Sequence, residues 1–298
     1  MSLASIPDSQ SKEDGKAVGV EVAALFLASR AGDGLGDTTV TYAACYGMNP
    51  CLIAGAWIPT PPNFPSASTP WQAVMRPFAI ESPSQFRADP PPALDSVEYL
   101  ADLDETRRLG SLNSVERTPE QTELARFFFD TSAQTGRTIR GVATDHNLNL
   151  DDEARFFARV YVTEADAWIA GWDSKYFYGR WRPITAIRNT GIDPPWTPII
   201  NTPGHPEYPS AHAFATASYV EAIRQFFGTK YLNVTVTSSV TGTTRIYRDT
   251  DDLLKDVTDA RVFAGFHFRT SCIRGEIIGK KVAKYVAKNY FLPVEKKQ

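Results

Sequence analysis

What the 298-residue sequence lacks is informative first. Its longest apolar stretches, such as GVEVAALFLA, reach about half of the roughly 20 residues a membrane helix requires, so a soluble chain with no membrane partner is expected. No long basic run appears, and the net charge is −3, which leaves a nucleic-acid partner without an electrostatic footprint. The opening MSLASIPDSQSKEDG brings polar residues in too early for the apolar core of a secretion signal. The expected location is therefore cytoplasmic, or extracytoplasmic if a signal has been removed upstream. Only three cysteines are present, and two readings of them stand. Cys45 and Cys51 frame YGMNP, a short loop that a disulfide would close with Cys272 left free, or all three are reduced, buried thiols. The sequon Asn233-Val-Thr235 is of a kind that arises by chance and adds little.

What is present is mainly helical text. The stretch from 15 to 30 carries an apolar stripe of Val18, Val22, Ala23, Phe26 and Leu27 before GDG ends it. From 32 to 112 proline and glycine dominate, which predicts extended loops laid over a helical body, anchored by Trp57, Phe64, Trp71 and Phe78. Helix resumes at RTPEQTELARFFFDTSAQ, where Thr118, Pro119 and Gln121 form a capping box with proline at the first helical position. A continuous pattern from 151 to 187 is bent or ended by Pro183, and a further helix is predicted from 210 to 227. YLNVTVTSSVTGTTRIYR is the only credible hairpin text, and helices at about 250–267 and 272–290 close the chain. With no repeat and no linker, residues 1–298 read as one mainly α domain with long loops, its chemistry gathered between 170 and 270.

Three short stretches there carry chemistry. In KYFYGRWRP, Lys175 and Arg182 are seven apart, which on one helix puts both on one face with Tyr178 between them. Two such cations grip an anion, one as a point charge and one as a planar fork; the bland alternative is a solvated basic face. In PGHPEYPSAHAF, which holds two of the four histidines, Ser210 reads as a helix N-cap whose first-turn amides bind anions. His212 then sits beside that anion, placed to give or take a proton, although a capping serine beside a structural histidine is commoner for an isolated motif. In ARVFAGFHFRTS, Arg261 and His267 are six apart and share no helix face unless the backbone departs from regularity near Gly265. Taken together, the three stretches describe a cage for a tetrahedral oxyanion with two histidines on it.

In order and spacing, K-x6-RP, PS-x-H and R-x5-H resemble the tripartite signature shared by vanadium-dependent haloperoxidases and type 2 phosphatidic-acid phosphatases. KYFYGRWRPITAIR, HPEYPSAHAF and loops such as GAWIPTPPNF are most similar to the soluble, bacterial-type haloperoxidases, so the resemblance covers nearly the whole chain. It implies a helical-bundle fold and vanadate as cofactor, in a site that phosphate also fits. It implies that Lys175, Arg182, Arg261, the Ser210 hydroxyl and the Ala211 amide hold the vanadate oxygens, and that His267 bonds the metal. It further implies that His212 is the acid/base and that Lys175 polarises hydrogen peroxide, so that halide is oxidised and a small organic compound halogenated. His205 stands where bromide-oxidising relatives carry histidine, which favours bromide; a purely structural hydrogen-bonding role for it stays open. Ala211 departs from the usual glycine, and its methyl group is expected to bear on the apical side of the cofactor. The rival reading is a metal-free acid phosphatase in which His267 attacks phosphorus and His212 protonates the leaving group. No carboxylate partner for His212 or Arg261 is identifiable, Asp166 and Asp173 being the nearest candidates, and a homo-oligomer is left open.

Overall fold

The structure is a computed structural model that describes residues 3–42, 53–130, 132–193 and 195–292; Cys45 and Cys51, and with them the proposed disulfide loop, lie outside the described residues. Nine α-helices and one hairpin are found among the described residues, as a mainly α chain requires. The helices are α1 (Gln10–Ser29), α2 (Val97–Leu109), α3 (Pro119–Phe127), α4 (Ser132–Asp145), α5 (Leu150–Tyr178), α6 (Pro183–Asn189), α7 (Ala211–Phe227), α8 (Thr250–Phe263) and α9 (Arg269–Asn289). Strands β1 (Val234–Thr237) and β2 (Thr244–Tyr247) pair antiparallel with Val234 opposite Tyr247, and both of these side chains enter the core. None of the described helices is long and apolar enough to cross a membrane.

The capping box of α3 forms as read from the sequence: Thr118 Oγ1 accepts from Gln121 N, and the Gln121 side chain accepts from Thr118 N. The long run from 151 divides earlier than Pro183. Helix α5 stops at Tyr178 because Gly179 takes a left-handed conformation (φ 55°), and Arg182, held extended by the proline after it, becomes the N-cap of α6. The next expected helix, 250–267, is also shortened, ending at Phe263 ahead of Gly265 (φ 76°). Helix α1 forms, yet none of its residues is buried among the described residues, and Val18, Phe26 and Leu27 are each more than half exposed. Its C-terminal end is tied down by Phe26 stacking on Phe78 and by Arg30 pairing with Asp33.

Helices α5, α7 and α9 pack on one another and carry the apolar cluster beneath the site, which includes Ala167, Ala170, Trp172, Ala211, Phe214, Ile278 and Val282. The closeness of α7 and α9 has a specific cause. A Cβ at Gly279 would lie 2.4 Å from Phe214 O and 2.7 Å from Ser218 N, and one at Gly275 would lie 2.7 Å from Ser210 O. Glycine at both positions lets the backbones touch just below the N-terminus of α7. Because backbone cannot yield as a side chain does, Gly279→Ala is expected to lower stability by about 1–3 kcal/mol, read as a shifted urea midpoint at unchanged slope.

The proline-rich loops follow the body as predicted, with one exception. Trp57 is fully buried and Trp71 and Phe78 partly so, but Phe64 points outward at 61% exposure. Two main-chain bonds, Trp57 N to Gly179 O and Trp181 N to Gly55 O, clip the first loop to the α5–α6 bend. Asp166 anchors the next: its carboxylate accepts the N–H groups of Phe78, Ala79 and Ile80 at 2.7–2.9 Å.

Candidate active site

All three sequence motifs converge. Lys175 comes from the last turn of α5, Arg182 from the bend before α6, Ser210 and His212 from the start of α7, Arg261 from the last turn of α8, and His267 from the segment between α8 and α9. Lys175 and Arg182 therefore do not share a helix face. The left-handed Gly179 turns the chain, and the two cations meet across that turn. Tyr178 is not between them; its hydroxyl donates to Ala88 O, 2.7 Å away.

Lys175, Arg182, Ser210, Arg261 and His267 are each at most 1% exposed, and each cation is held by main-chain carbonyls. Lys175 Nζ donates to Pro206 O (2.9 Å) and Glu207 O (3.0 Å). Arg182 Nε donates to His205 O (2.8 Å) and its Nη1 to Phe266 O (3.0 Å). Arg261 Nη1 donates to Phe128 O (3.2 Å). Neutral carbonyls satisfy donors without cancelling charge, so the positive potential is left for a ligand. Burial is the main reason that Lys175 falls well below its usual range, with Arg182 adding to it, and that Arg182 and Arg261 are pushed down to about 9 and about 10.

Two buried donors in this cluster have no nitrogen or oxygen hydrogen-bond partner among the described residues: Ser210 Oγ and Arg261 Nε. Ser210 is the N-cap of α7, but its hydroxyl does not cap the helix, and only the weakly polar thiol of Cys272 sits beside it. The N–H groups of Ala211, His212 and Ala213 also find no acceptor among the described residues, as the first turn of a helix leaves them. An unmatched hydroxyl, an unmatched guanidinium N–H and a bare helix N-terminus together make a receptor for oxyanion oxygens. Among the described residues there is no cluster of three or more His, Cys, Asp or Glu side chains that could hold a bare cation.

Ala211 packs into the protein beside these donors. It is 4% exposed and belongs to the apolar cluster beneath, alongside Trp172 and Phe214, while its N–H stays free. Ala211→Gly is accordingly expected to leave oxyanion affinity within about twofold and to cost about 1 kcal/mol of stability through the lost methyl and the looser helix start. Titration with vanadate beside a thermal melt separates the two effects.

The histidines differ in role. His267 is buried, and its Nδ1 lies 2.8 Å from Glu207 Oε1 while its Nε2 faces Arg182 Nη1 at 3.3 Å. His212 is only partly buried. Its ring N–H donates to the main-chain carbonyl of Asp130, and one face lines a cavity of about 380 Å³ shared with Phe128, Glu164, Trp168 and Tyr219. Within that cavity burial pushes Glu164 up to about 7. His205 is at the edge of the cage, tilted against Trp172 with ring centroids 5.1 Å apart and its Nδ1 3.0 Å from Arg182 Nη2. Burial first, and the neighbouring cations second, hold all three imidazoles well below their usual range, so they are neutral near pH 7.

The carboxylate of the site is neither of those the sequence suggested. Asp166 is occupied by the loop amides described above, and Asp173 makes a two-pronged pair with Arg87 at 2.7 and 2.8 Å. Glu207, 1% exposed, is the carboxylate that enters the site, and it meets His267 rather than His212 or Arg261; burial pushes it up to about 7 against the pull of Lys175 and Arg182. It lies inside the stretch HPEYPSAH, but a glutamate between two prolines reads as a solvated loop residue, and only the fold brings His267 to it.

Fold and site together give a helical chain in which three buried cationic side chains, two unmatched donors and the imidazoles of His212 and His267 are brought to one place. A family model described as the VCPO second helical-bundle domain matches residues 155–295, which contain every residue of the cage. The vanadium chloroperoxidase of Curvularia inaequalis is 28% identical over 216 residues, 57% of this chain and 36% of that protein. Among solved structures, the first bacterial vanadium-dependent iodoperoxidase superposes with a TM-score of 0.73 at 25% identity, over 84% of this chain and 64% of that one. A bacterial vanadium-dependent chloroperoxidase in its holo form gives 0.64 at 19% identity, over 74% and 54%, a likeness of fold. The chain thus spans about a third of the curated relative and less than two thirds of these structures. These likenesses support the superfamily of vanadium-dependent haloperoxidases, the family model matching the part of the chain that holds the cage.

Proposed function

We propose that this chain is a vanadate-dependent haloperoxidase that uses hydrogen peroxide to oxidise a halide, with bromide favoured, and so halogenates small organic compounds. The observation that carries the reading is the pair of unmatched buried donors, Ser210 Oγ and Arg261 Nε, set among three cations and opposite a neutral His267. These residues fit vanadate. Its oxygens would be held by Lys175, Arg182, Arg261, the Ser210 hydroxyl and the Ala211 N–H, and its metal by His267 Nε2. Bound there, vanadate supplies a Lewis-acidic centre that activates hydrogen peroxide toward halide without itself changing oxidation state.

Each remaining step belongs to the chain's own side chains. His212, neutral and facing the cavity, takes a proton from incoming hydrogen peroxide and returns it to the departing oxygen. Lys175 draws electron density from the oxygen that the halide attacks. In balance, hydrogen peroxide, halide and one proton give hypohalous acid and water. His205 and Trp172 supply a polar edge and an aromatic face at the rim, the basis for assigning halide selection to that side. The cavity beside His212, walled by Phe128, Trp168 and Tyr219, suits an uncharged aromatic acceptor better than an anionic phosphate ester.

The deciding experiment is reconstitution with vanadate followed by bromination of a phenolic dye, with omission of peroxide and of bromide as controls. Halogenation that depends on all three components supports the reading. Hydrolysis of a phosphate ester without vanadate, together with no halogenation when vanadate is bound, would replace it with the phosphohistidine phosphatase.

A further inference from the structure

Glu207 is the single buried side-chain carboxylate in contact with the histidines of the cage among the described residues, and its geometry is one-sided. Its Oε1 lies 2.8 Å from His267 Nδ1 and also accepts the Phe268 N–H at 3.1 Å. Of the two carboxyl oxygens, the one that accepts a main-chain amide is the better suited to stay bare, with any proton on Oε2, because a hydroxyl oxygen is the weaker acceptor. His267 Nδ1 is then the donor, and a neutral imidazole with its proton on Nδ1 carries its lone pair on Nε2. Nε2 is the nitrogen that points into the cage, beside Arg182 Nη1.

Glu207 is itself pinned. Pro206 and Pro209 stiffen its segment, its N–H donates to Arg180 O (2.9 Å), and its carbonyl receives Lys175 Nζ (3.0 Å) and, more distantly, Ser271 Oγ (3.5 Å). The main chain of one residue thus steadies a cation of the cage while its side chain orients the imidazole. We propose that Glu207 is a positioning residue that fixes His267 as the Nδ1–H tautomer and thereby aims the Nε2 lone pair at the bound oxyanion's central atom. That the central atom is vanadium rests on the function proposed above; the tautomer does not.

The first test uses ligand-free protein labelled with ¹⁵N at histidine. Nitrogen shifts and proton couplings are expected to show His267 neutral, with the proton on Nδ1; a proton on Nε2 in the wild-type protein would overturn the proposal without any mutation. The second compares vanadate with sulfate, which fills the same cation cage but takes no bond from imidazole. Glu207→Leu removes the acceptor, so vanadate affinity is expected to fall about 10- to 100-fold. Sulfate affinity should change by less than about threefold, or tighten, since a negative charge has left the cage. Glu207→Gln keeps a carbonyl for His267 and Phe268 and can place its amide toward Ser271, so it should retain the tautomer and most of the vanadate affinity. Equal losses of vanadate and sulfate would show only that the cage had collapsed and would defeat the proposal. So would unchanged vanadate affinity in the leucine variant. Should Glu207→Leu fail to fold, a changed tautomer in the glutamine variant decides in the same direction. Wild-type protein that binds sulfate but no vanadate would remove the proposed function while leaving the tautomer measurement intact.

Discussion

Substituting His212 with alanine is expected to lower turnover about 10²- to 10⁴-fold, the usual worth of a positioned acid/base, while leaving vanadate affinity within about threefold. His267→Ala should reverse the pattern, so that vanadate is no longer retained on gel filtration and activity vanishes with it. The difference follows from where each imidazole points. His267 is 1% exposed, with its Nδ1 against Glu207 Oε1 and its Nε2 beside Arg182, which leaves it away from the open cavity. His212 is partly exposed to the cavity, held by Asp130 O on one nitrogen, and leaves the other for a proton. Anion binding at the first turn of α7 uses the main-chain N–H groups and the Ser210 hydroxyl, which the alanine variant keeps. Equilibrium dialysis with vanadate and a steady-state bromination assay read the two quantities separately. Equal loss of vanadate from both variants would end this division of labour.

These residues were legible in the sequence because their signals are local. A serine after proline at the start of an apolar periodic run marks a helix N-terminus, and a glycine two residues before a histidine marks a helix end. What could not be read is how distant segments meet. Lys175 and Arg182 do come together, but not as their seven-residue spacing suggests: instead of sharing a helix face, they meet across the bend at Gly179. Glu207 was missed because its partner is 60 residues away in sequence. Asp166 and Asp173, the candidates for a partner of His212 or Arg261, are instead turned by α5 toward the loops and toward Arg87. That Ala211 packs with Trp172 and Phe214 is equally invisible in the sequence, since the neighbours of a residue at a helix N-terminus depend on the helices beneath it. The same limit explains α1, whose periodicity was correct although none of its residues is buried among the described residues.

Arg261→Met should separate stability from binding more sharply than any other change in the cage. The arginine is 1% exposed, has no carboxylate within salt-bridge distance, and is satisfied at Nη1 alone, by Phe128 O, while Nε stays unmatched. Its guanidinium lies 4.7 Å from the Phe266 ring centroid, so a flexible apolar chain of similar length has a surface to pack on. Replacement leaves the Phe128 carbonyl unmatched, at a cost of about 1–3 kcal/mol. It also removes an uncompensated buried cation that Lys175 and Arg182 repel, and replacing buried charge by apolar volume is commonly neutral or stabilising by about 1–4 kcal/mol. The ligand-free variant is therefore expected to melt no lower than the wild type. Binding should move the other way, because one charge-assisted hydrogen bond is worth about 1.5–3 kcal/mol, or roughly 10- to 150-fold in affinity. At a vanadate concentration 100 times the wild-type Kd, the ligand stabilises the wild type by about 2.7 kcal/mol; a 100-fold weaker variant gains only about 0.4 kcal/mol. Thermal melts with and without vanadate test both halves at once. A variant that melts well below the wild type without ligand, yet gains as much from vanadate, would mean that Arg261 serves the fold and that the unmatched Nε does not await an oxyanion.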